Sequence, residues 1–156
     1  MLHNKKGFTL IELSIVLCII ASLLMLSIPN LQENMSIIRN HMTTHRIYND
    51  LIYARQQAIL KKENITICHL SAAQECDGHW DLGYTIFVAS NFTILKQHEN
   101  NPLHQKLSFP KRKKITFNAL GHTFDTGTIH CQDQYHTQTQ HIIINRIGIA
   151  HYQYTL

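Results

Sequence analysis

The stretch from Phe8 to Ile28 reads FTLIELSIVLCIIASLLMLSI, and it decides what kind of protein this chain is. Its 21 residues include a single charged side chain, Glu12. As a helix rising about 1.5 Å per residue, the stretch would extend about 31 Å, which matches the hydrocarbon core of a bilayer. We therefore expect residues 8–28 to form a membrane-spanning helix.

The residues before the apolar stretch predict its orientation and its fate. Lys5 and Lys6 precede it, and the small residue Gly7 lies before the apolar run rather than after it. A cleavable secretory signal has a shorter apolar region followed by small residues, so we expect this segment to remain in the mature protein. The two lysines favour a cytoplasmic N-terminus, which places the chain after Pro29 on the opposite side of the membrane.

Glu12 is the unusual residue of the apolar stretch. A carboxylate at the centre of a membrane helix costs on the order of 2.5 to 3.5 kcal/mol on insertion scales and usually marks a function. No Lys, Arg or His lies within the stretch to pair with it. Cleavage after Gly7 would create an α-amine on Phe8, and a neighbouring copy could present that cation to Glu12 when helices pack side by side. The pairing would favour polymerisation.

Residues 6–13, KGFTLIEL, resemble the processing signal of type IV pilins and type II secretion pseudopilins. The resemblance implies that a prepilin peptidase removes the leader, residues 1–7, by cleaving after Gly7, usually with N-methylation of Phe8. It also implies that Glu12 docks the subunit into a helical filament of other pilins or pseudopilins. The implied location is the bacterial inner membrane, with a single pass, a cytoplasmic N-terminus and a periplasmic C-terminal domain. Pro29 matches the proline that often bends this helix.

The periodicity of the apolar residues changes once along the rest of the chain. Apolar residues recur at spacings of three and four from Leu31 to Ala58, which predicts a helix to about Lys62 with Asn64 as a left-handed stop. Beyond it, short segments alternate with period two between turn-forming residues. The predicted strands are Ile65–Leu70, Tyr84–Ala89, Ile115–Asn118, Thr128–Gln132, His141–Arg146 and Ile149–Tyr154.

A helix followed by antiparallel strands predicts the α+β class, with the sheet packed on the helix. We accordingly divide the mature chain into a membrane or filament-core helix (8–28), its soluble continuation (29–63) and a β-rich periplasmic domain (64–156).

The soluble part resembles the GspH/FimT group of minor pilins and pseudopilins. The patterns that carry the resemblance are Leu51-x-x-Ala54-Arg55-x-x-Ala58-Ile59, Trp80-x-x-Gly83-Tyr84-x-Ile86-Phe87, and Ile115-x-Phe117 with Gly121. The resemblance implies a pilin fold and a part in the tip or initiation complex of a type IV pilus or a type II secretion pseudopilus. We expect Trp80 and Phe87 to lie in the core, and Arg55 to fix the helix against a loop by hydrogen bonds.

Three cysteines lie in the part of the chain expected outside the cytoplasm, where disulfides persist. We favour a bridge between Cys68 and Cys76, which enclose seven residues, with Cys131 buried and free. A bridge between Cys68 and Cys131 on neighbouring strands is the alternative. Cys18, within the apolar stretch, is interpreted as a small apolar residue.

Motifs for metal binding and catalysis are missing from the sequence. Of the 12 histidines, His41 and His45 are four apart, and Cys76-x-x-His79 adds candidate ligands, but there is no HExxH motif and no paired CxxC. There is also no GxSxG motif and no glycine-rich phosphate loop. We therefore predict no metal site, no cofactor and no enzymatic activity.

The charge of the chain is small overall and concentrated in one run. The net charge of 14 − 10 = +4 excludes a protein that coats nucleic acid through bulk charge. Within the polar stretch 90–114, five cations occur in nine residues without an acid: Lys106, Lys111, Arg112, Lys113 and Lys114. They are candidate contacts to the phosphates of double-stranded DNA. The alternative is a solvated loop, or a patch facing an acidic pilin neighbour or lipid head groups.

Aromatic residues are sparse around this basic run. Only Phe109 and Phe117 lie nearby in the sequence, so base stacking is not indicated.

Some FimT-like proteins act in DNA uptake, and the resemblance there centres on a C-terminal Gly-Arg-x-Arg motif. The matching positions here are Gly148, Ile149, Ala150 and His151, so both arginines are missing. Arg146 and His151 remain as weak substitutes. The alternative function is thus a DNA-binding minor pilin for natural transformation.

Overall fold

The chain is described by a computed structural model that covers residues 9–99, 105–110, 112–133 and 139–154. For residues 25–33, 105, 133 and 154 it describes the backbone alone. The described structure divides into two compact units, one ending at Met35 and one comprising Ser36–Leu156.

The helix α1 comprises Leu10–Lys61 and contributes to both units. It ends close to the predicted position, but the left-handed residue that follows it is Lys62, with φ of 55°, and not Asn64. Lys61 and Lys62 at this end lie at the negative pole of the helix dipole, which favours their charges. Only three residues separate the helix from the first strand.

In the first unit, every side chain from Thr9 to Leu24 is exposed. These are mostly large apolar residues, such as Leu10 at 86% and Ile11 at 67% exposure. Within the described residues, no helix is both long enough and apolar enough to span a membrane.

The second unit holds eight strands in two antiparallel four-stranded sheets. The strands are β1 (Ile65–Cys68), β2 (Gly83–Val88), β3 (Ile94–Glu99), β4 (Gln105–Ser108), β5 (Ile115–Phe117), β6 (Gly127–Asp133), β7 (Thr139–Ile144) and β8 (Ala150–Tyr154). Sheet 1 has the order β3-β2-β1-β5, and sheet 2 has the order β4-β6-β7-β8. A short 3₁₀ helix, Trp80–Leu82, leads into β2.

No strand was predicted within the polar stretch 90–114, and in this respect the prediction was wrong. The stretch contains β3 and β4, which are edge strands of sheet 1 and sheet 2. The side chains of β3 are exposed or half-buried without regular alternation and include Lys96, His98 and Glu99. The strand therefore lacks the apolar alternation by which strands are recognised. Charged side chains are typical of edge strands, because they oppose pairing with another chain.

One hydrophobic core joins the helix to both sheets. Ile47, Leu51, Ala54 and Ala58, at spacings of four, three and four, are each less than 4% exposed. They share a buried cluster with Ile86, Phe117, Ile129 and Ile142 and with the other inward-facing residues of the sheets. Trp80 and Phe87 are 2% and 4% exposed, as expected. Burial of each large apolar side chain stabilises the fold by about 1.5 to 3 kcal/mol.

The buried face of α1 becomes polar nearer its start. Ser36, Asn40 and Thr44 are buried, whereas Ile38 and Met42 of the predicted apolar stripe are 51% and 68% exposed. The Thr44 hydroxyl donates to the Asn40 carbonyl, which satisfies that buried polar group within the helix. The apolar stripe here therefore faces outward from the second unit.

Candidate functional site

Glu12 takes part in the N-terminal cap of α1. The Thr9 backbone N–H and the Thr9 hydroxyl both lie 3.0 Å from Glu12 Oε2, and the Glu12 N–H lies 3.4 Å from the Thr9 hydroxyl oxygen. This reciprocal arrangement is a capping box, which satisfies backbone donors that a helix start otherwise leaves free. Oε1 of Glu12 makes no hydrogen bond to any described residue. Gly7 and Phe8, the predicted processing site, lie outside the described residues.

The disulfide of the structure links Cys68 and Cys76, whose Cα atoms are 5.6 Å apart. It closes the loop between β1 and the 3₁₀ helix, beside a contact of 2.9 Å between His69 Nδ1 and Asp77 Oδ1. Cys131 is free and buried, and burial raises the pKa of its thiol to about 12. This thiol is therefore inert as a nucleophile at neutral pH.

Two turns of matching construction meet at one end of the second unit. In one, the Gly121 N–H donates to the Asn118 carbonyl, and in the other the Gly148 N–H donates to the Asn145 carbonyl. The two glycines have φ of +74° and +76°, a conformation that side chains disfavour. A Cβ atom on Gly148 would overlap the Gly121 carbonyl oxygen, so the two turns pack backbone to backbone.

Arg55 joins these turns to the helix. Its Nε donates to the Gly121 carbonyl oxygen over 3.1 Å, which is the helix-to-loop role expected of this residue. The Thr123 N–H, two residues after the first turn, also donates to the Arg146 carbonyl of the second turn. We call the assembly of Arg55 and the turns 118–121 and 145–148 the double-turn junction.

The double-turn junction carries exposed apolar side chains. Leu120 and Phe124 are 72% and 74% exposed, and Ile147 is 50% exposed. The Arg146 guanidinium lies over the Phe124 ring at 5.8 Å, in range of a cation–π contact.

Two of the cations predicted to contact DNA, Arg112 and Arg146, lie together at Phe124. Arg112 lies 3.4 Å from both Asp125 Oδ1 and the Phe124 carbonyl oxygen, so its charge is partly compensated. Because Arg112 and Arg146 both contact Phe124, the fold brings together two cations that are far apart in the sequence. Lys111 lies outside the described residues.

Lys113 and Lys114 are exposed and line a shallow cavity of about 380 Å³. Phe92, which is 51% exposed, lies in the same cavity and stacks on Phe87 with ring centroids 5.3 Å apart. Phe109 and Phe117, the aromatic residues that the sequence analysis considered, are both buried. Sequence reasoning missed Phe92 because it belongs to the β2–β3 turn and meets the lysines only in the folded chain.

Lys106 and His151 lie on sheet 2, away from that cavity's lining. Lys106 is exposed on β4, and His151 is exposed on β8 opposite Ile143. The predicted DNA contacts therefore do not form one continuous site in the described structure.

Asp50 is a buried acid that sequence reasoning did not single out. It is 1% exposed, accepts a hydrogen bond from the Tyr84 hydroxyl at 2.7 Å and from Lys96 Nζ at 2.6 Å, and lies 3.0 Å from His98 Nε2. Burial, followed by the bond to Asp50, raises the pKa of Tyr84. The sequence could have indicated that Asp50 is buried, since position 50 is three residues after Ile47 and four before Ala54 and so lies on the buried face of α1. Asp50 ties the helix to β2 and β3.

Comparison with known proteins adds two family models, which match in order along the chain. The Prokaryotic N-terminal methylation motif matches residues 2–28, and the model described as Type II transport protein GspH matches residues 43–148. No curated protein matches the chain.

Two crystal structures of one protein share the fold. They are the P65 and P21 crystal forms of the type IV minor pilin FimU of Pseudomonas aeruginosa PAO1, at 21% and 20% identity. The matches cover 72% and 74% of this chain and 91% and 90% of those chains, each with a TM-score of 0.58. At this identity the likeness shows the pilin fold alone. The GspH model, by contrast, spans well over half of the chain, so the chain belongs to the GspH family of pilins and pseudopilins, which are structural subunits and not enzymes.

Proposed function

We propose that the chain is a minor subunit of a type IV pilus or a type II secretion pseudopilus and acts in its tip or initiation complex. A prepilin peptidase cleaves it after Gly7, and the mature chain is held in the bacterial inner membrane by residues 8–28 until it enters the filament. The second unit then lies in the periplasm or on the filament surface. The observation that carries the proposal is the methylation-motif match followed by the GspH match on one chain.

The exposed apolar surface of α1 supports assembly with other subunits. Every side chain from Thr9 to Leu24 is exposed, and Ile38 and Met42 are exposed on the part of α1 that belongs to the second unit. Large exposed apolar surfaces mark sites of protein or membrane contact. Lipid covers the first stretch before assembly, and neighbouring α1 helices cover it afterwards.

Glu12 provides the specific docking contact. Both hydrogen bonds that its carboxylate accepts from Thr9 end on Oε2. Oε1 is therefore available for the Phe8 α-amine of a neighbouring subunit. In an apolar filament core this pairing offsets the cost of burying both charges, which are costly when unpaired. The capping box holds the carboxylate in place for the contact.

Three variants separate docking from capping. Glu12→Gln keeps an oxygen that accepts the Thr9 N–H but lacks the charge, whereas Glu12→Ala lacks both. Thr9→Ala serves as the control, because it removes the hydroxyl of the cap and keeps the carboxylate. The ratio of subunit in sheared filaments to subunit in the membrane fraction is the measurement. We expect Glu12→Gln and Glu12→Ala to lower that ratio at least tenfold and Thr9→Ala to lower it less than threefold.

Near-normal incorporation of the Glu12→Gln variant into filaments would contradict the docking role. The carboxylate would then have a role only in the helix cap. Equal loss in the Thr9→Ala control would show that the cap, and not the charge, is needed.

DNA binding is a second candidate function, favoured by the cavity that Lys113 and Lys114 line beside the exposed ring of Phe92. Two lysines can contact phosphates, and an exposed aromatic ring can contact sugars or unpaired bases. Such a subunit would act in DNA uptake for natural transformation. Glu75 also lines the cavity, and its negative charge would repel a phosphate bound there.

Fluorescence anisotropy with duplex DNA over a salt series tests this second function on the full chain in detergent. The test variant is Lys113→Ala with Lys114→Ala, and the matched control is Lys61→Ala with Lys62→Ala, an exposed lysine pair at the end of α1. Each phosphate contact contributes about 0.9 to the slope of log affinity against log salt, so the test variant should lower the slope by about 1.8. An equal effect of the control pair would remove this cavity as a DNA site.

A further inference from the structure

The outer face of sheet 2 contains a pair of histidines that neither the fold nor the proposed function uses. His130 on β6 and His141 on β7 are direct partners in the antiparallel register. Their ring centroids are 4.8 Å apart, and the ring planes are nearly perpendicular at 86°. Their neighbours in sequence, Ile129, Cys131 and Ile142, are buried in the core, so the two imidazoles lie on the opposite face of the sheet.

The separation of the two rings is that of a metal chelate. A ring nitrogen binds Zn²⁺ at about 2.0 to 2.1 Å, which places each ring centroid about 3.2 Å from the metal. If the nitrogen–metal–nitrogen angle is 90°, the two centroids would be about 4.5 Å apart. If that angle is tetrahedral, they would be about 5.2 Å apart. The observed 4.8 Å lies between these values. The distance between the two centroids is therefore compatible with both rings binding one ion.

The surroundings of His141 are consistent with the geometry. Burial, and then the nearby His130, lower the pKa of His141, so its imidazole is neutral at pH 7. Neutral imidazole is the form that binds metal ions. His141 Nδ1 is buried and makes no hydrogen bond to any described residue.

The surroundings define the class of ion. Exposed Lys106 and His151 lie on the same face, and Ser108 and Gln153 flank the pair in the same row of the sheet. In the part of the chain that the structure describes, no group of three or more His, Cys, Asp or Glu is placed to hold a metal. Water therefore has to complete the coordination. Nitrogen ligands without carboxylates favour Cu²⁺, Ni²⁺ or Zn²⁺ over Mg²⁺ or Ca²⁺.

We propose that His130 and His141 chelate a divalent transition-metal ion on the outer face of sheet 2. The ion links β6 to β7. A donor group from a neighbouring molecule can replace the water molecules that complete its coordination. This proposal does not depend on filament assembly, and it departs from the sequence-based expectation of no metal site.

Calorimetric titration of Zn²⁺ into the full chain in detergent, without a polyhistidine tag, tests the proposal. We expect one strong site at pH 7.4, with at least a tenfold loss of affinity in His130→Gln and in His141→Gln, because a chelate becomes a single ligand. At pH 5.5 the affinity for Zn²⁺ should fall in the unsubstituted chain, because protons compete with the metal for imidazole nitrogen. Far-ultraviolet circular dichroism of both variants checks that the sheet remains folded.

The matched control is the helical pair His41 and His45. Their centroids are 6.2 Å apart, outside the range of about 4.5 to 5.2 Å calculated above for right-angled and tetrahedral coordination, and both rings contact Tyr152. His41→Gln should retain Zn²⁺ affinity within twofold. Loss of the site in His41→Gln, or no strong site at all in the unsubstituted chain, would overturn the proposal.

Electron paramagnetic resonance of the unsubstituted chain with one equivalent of Cu²⁺ is independent of any variant. We expect hyperfine coupling to two imidazole nitrogens. Coupling to one imidazole or to none would overturn the proposal.

Discussion

Replacement of Gly148 by alanine tests the double-turn junction. Gly148 has φ of +76°, and a Cβ atom there would overlap the Gly121 carbonyl oxygen. That oxygen is also the acceptor of the Arg55 Nε bond. The added methyl group must therefore separate two backbone turns and displace the arginine that connects them to the helix.

The magnitude follows from three contributions. A left-handed conformation costs an alanine roughly 1 to 2 kcal/mol. Forced separation of packed groups costs about 1 to 3 kcal/mol, and loss of the Arg55 bond about 0.5 to 1.5 kcal/mol. Gly78→Ala is the matched control, since Gly78 has φ of +87° but its nearest neighbour is the flexible Lys113 side chain at 3.3 Å. We expect Gly148→Ala to lower the free energy of unfolding by about 2 to 4 kcal/mol more than Gly78→Ala.

Urea unfolding followed by the fluorescence of Trp80 measures this difference. Trp80 is the single tryptophan of the chain, is 2% exposed and packs edge-on against Phe109, so its emission reports on the core of the second unit. Equal destabilisation by the two alanine variants would refute the backbone-to-backbone packing of the two turns.

Three further predictions concern the stability of the second unit, again by urea unfolding. Asp50→Asn should lower the free energy of unfolding by about 3 kcal/mol, because it leaves cations beside a neutral group. The exposed control Glu63→Gln should change the free energy of unfolding by less than about 0.5 kcal/mol. Equal effects of the two variants would contradict the importance of the buried acid. Cys68→Ser should lower it by about 2.5 kcal/mol, the loop-closure value for a short loop, and retention of full stability after reduction of the unsubstituted chain would argue against the bridge. The pKa of His141 is lower in the folded chain than in the unfolded chain. The contribution of neutral His141 to the free energy of unfolding is therefore complete above about pH 6.5 and is lost as the pH falls through the folded pKa. With a chelator present, stability should thus fall less steeply from pH 7 to pH 5 in His141→Gln than in the unsubstituted chain, and identical pH profiles would contradict this.

The parts of the fold that could be predicted from the sequence are those with strong apolar periodicity. The spacing of Ile47, Leu51, Ala54 and Ala58 predicted a helix with one buried face, and the structure buries all four. The interior strands, rich in isoleucine, were also recognisable from their period of two. Here the local pattern and the tertiary packing agree.

The remaining features of the fold are set by tertiary contacts, which the periodicity of the sequence does not reveal. β3 (ILKQHE) and β4 (QKLS) lack the regular alternation of apolar and polar residues by which strands are recognised, so no strand was predicted there. The division into two sheets was not predicted, since pairing partners of short strands are set by the whole fold. The same limit applies to Phe92, which meets Lys113 and Lys114 only after folding.

The arrangement of candidate site residues was predictable where it is local in sequence. Thr9 and Glu12 are three residues apart, the spacing of a capping box, yet the sequence analysis considered only the charge of Glu12 and missed the cap. His130 and His141 are eleven residues apart and become neighbours through the β6–β7 register, which the sequence alone does not fix.

Mass spectrometry of the N-terminal peptide of the mature protein, isolated from the membrane fraction of the native bacterium, tests the central claim most directly. If the chain is a processed filament subunit, the peptide begins at Phe8 and carries one methyl group on its α-amine. A mature protein that retains Met1 and the lysine pair would contradict the account, because no free amine would then lie beside Glu12 to join one subunit to the next.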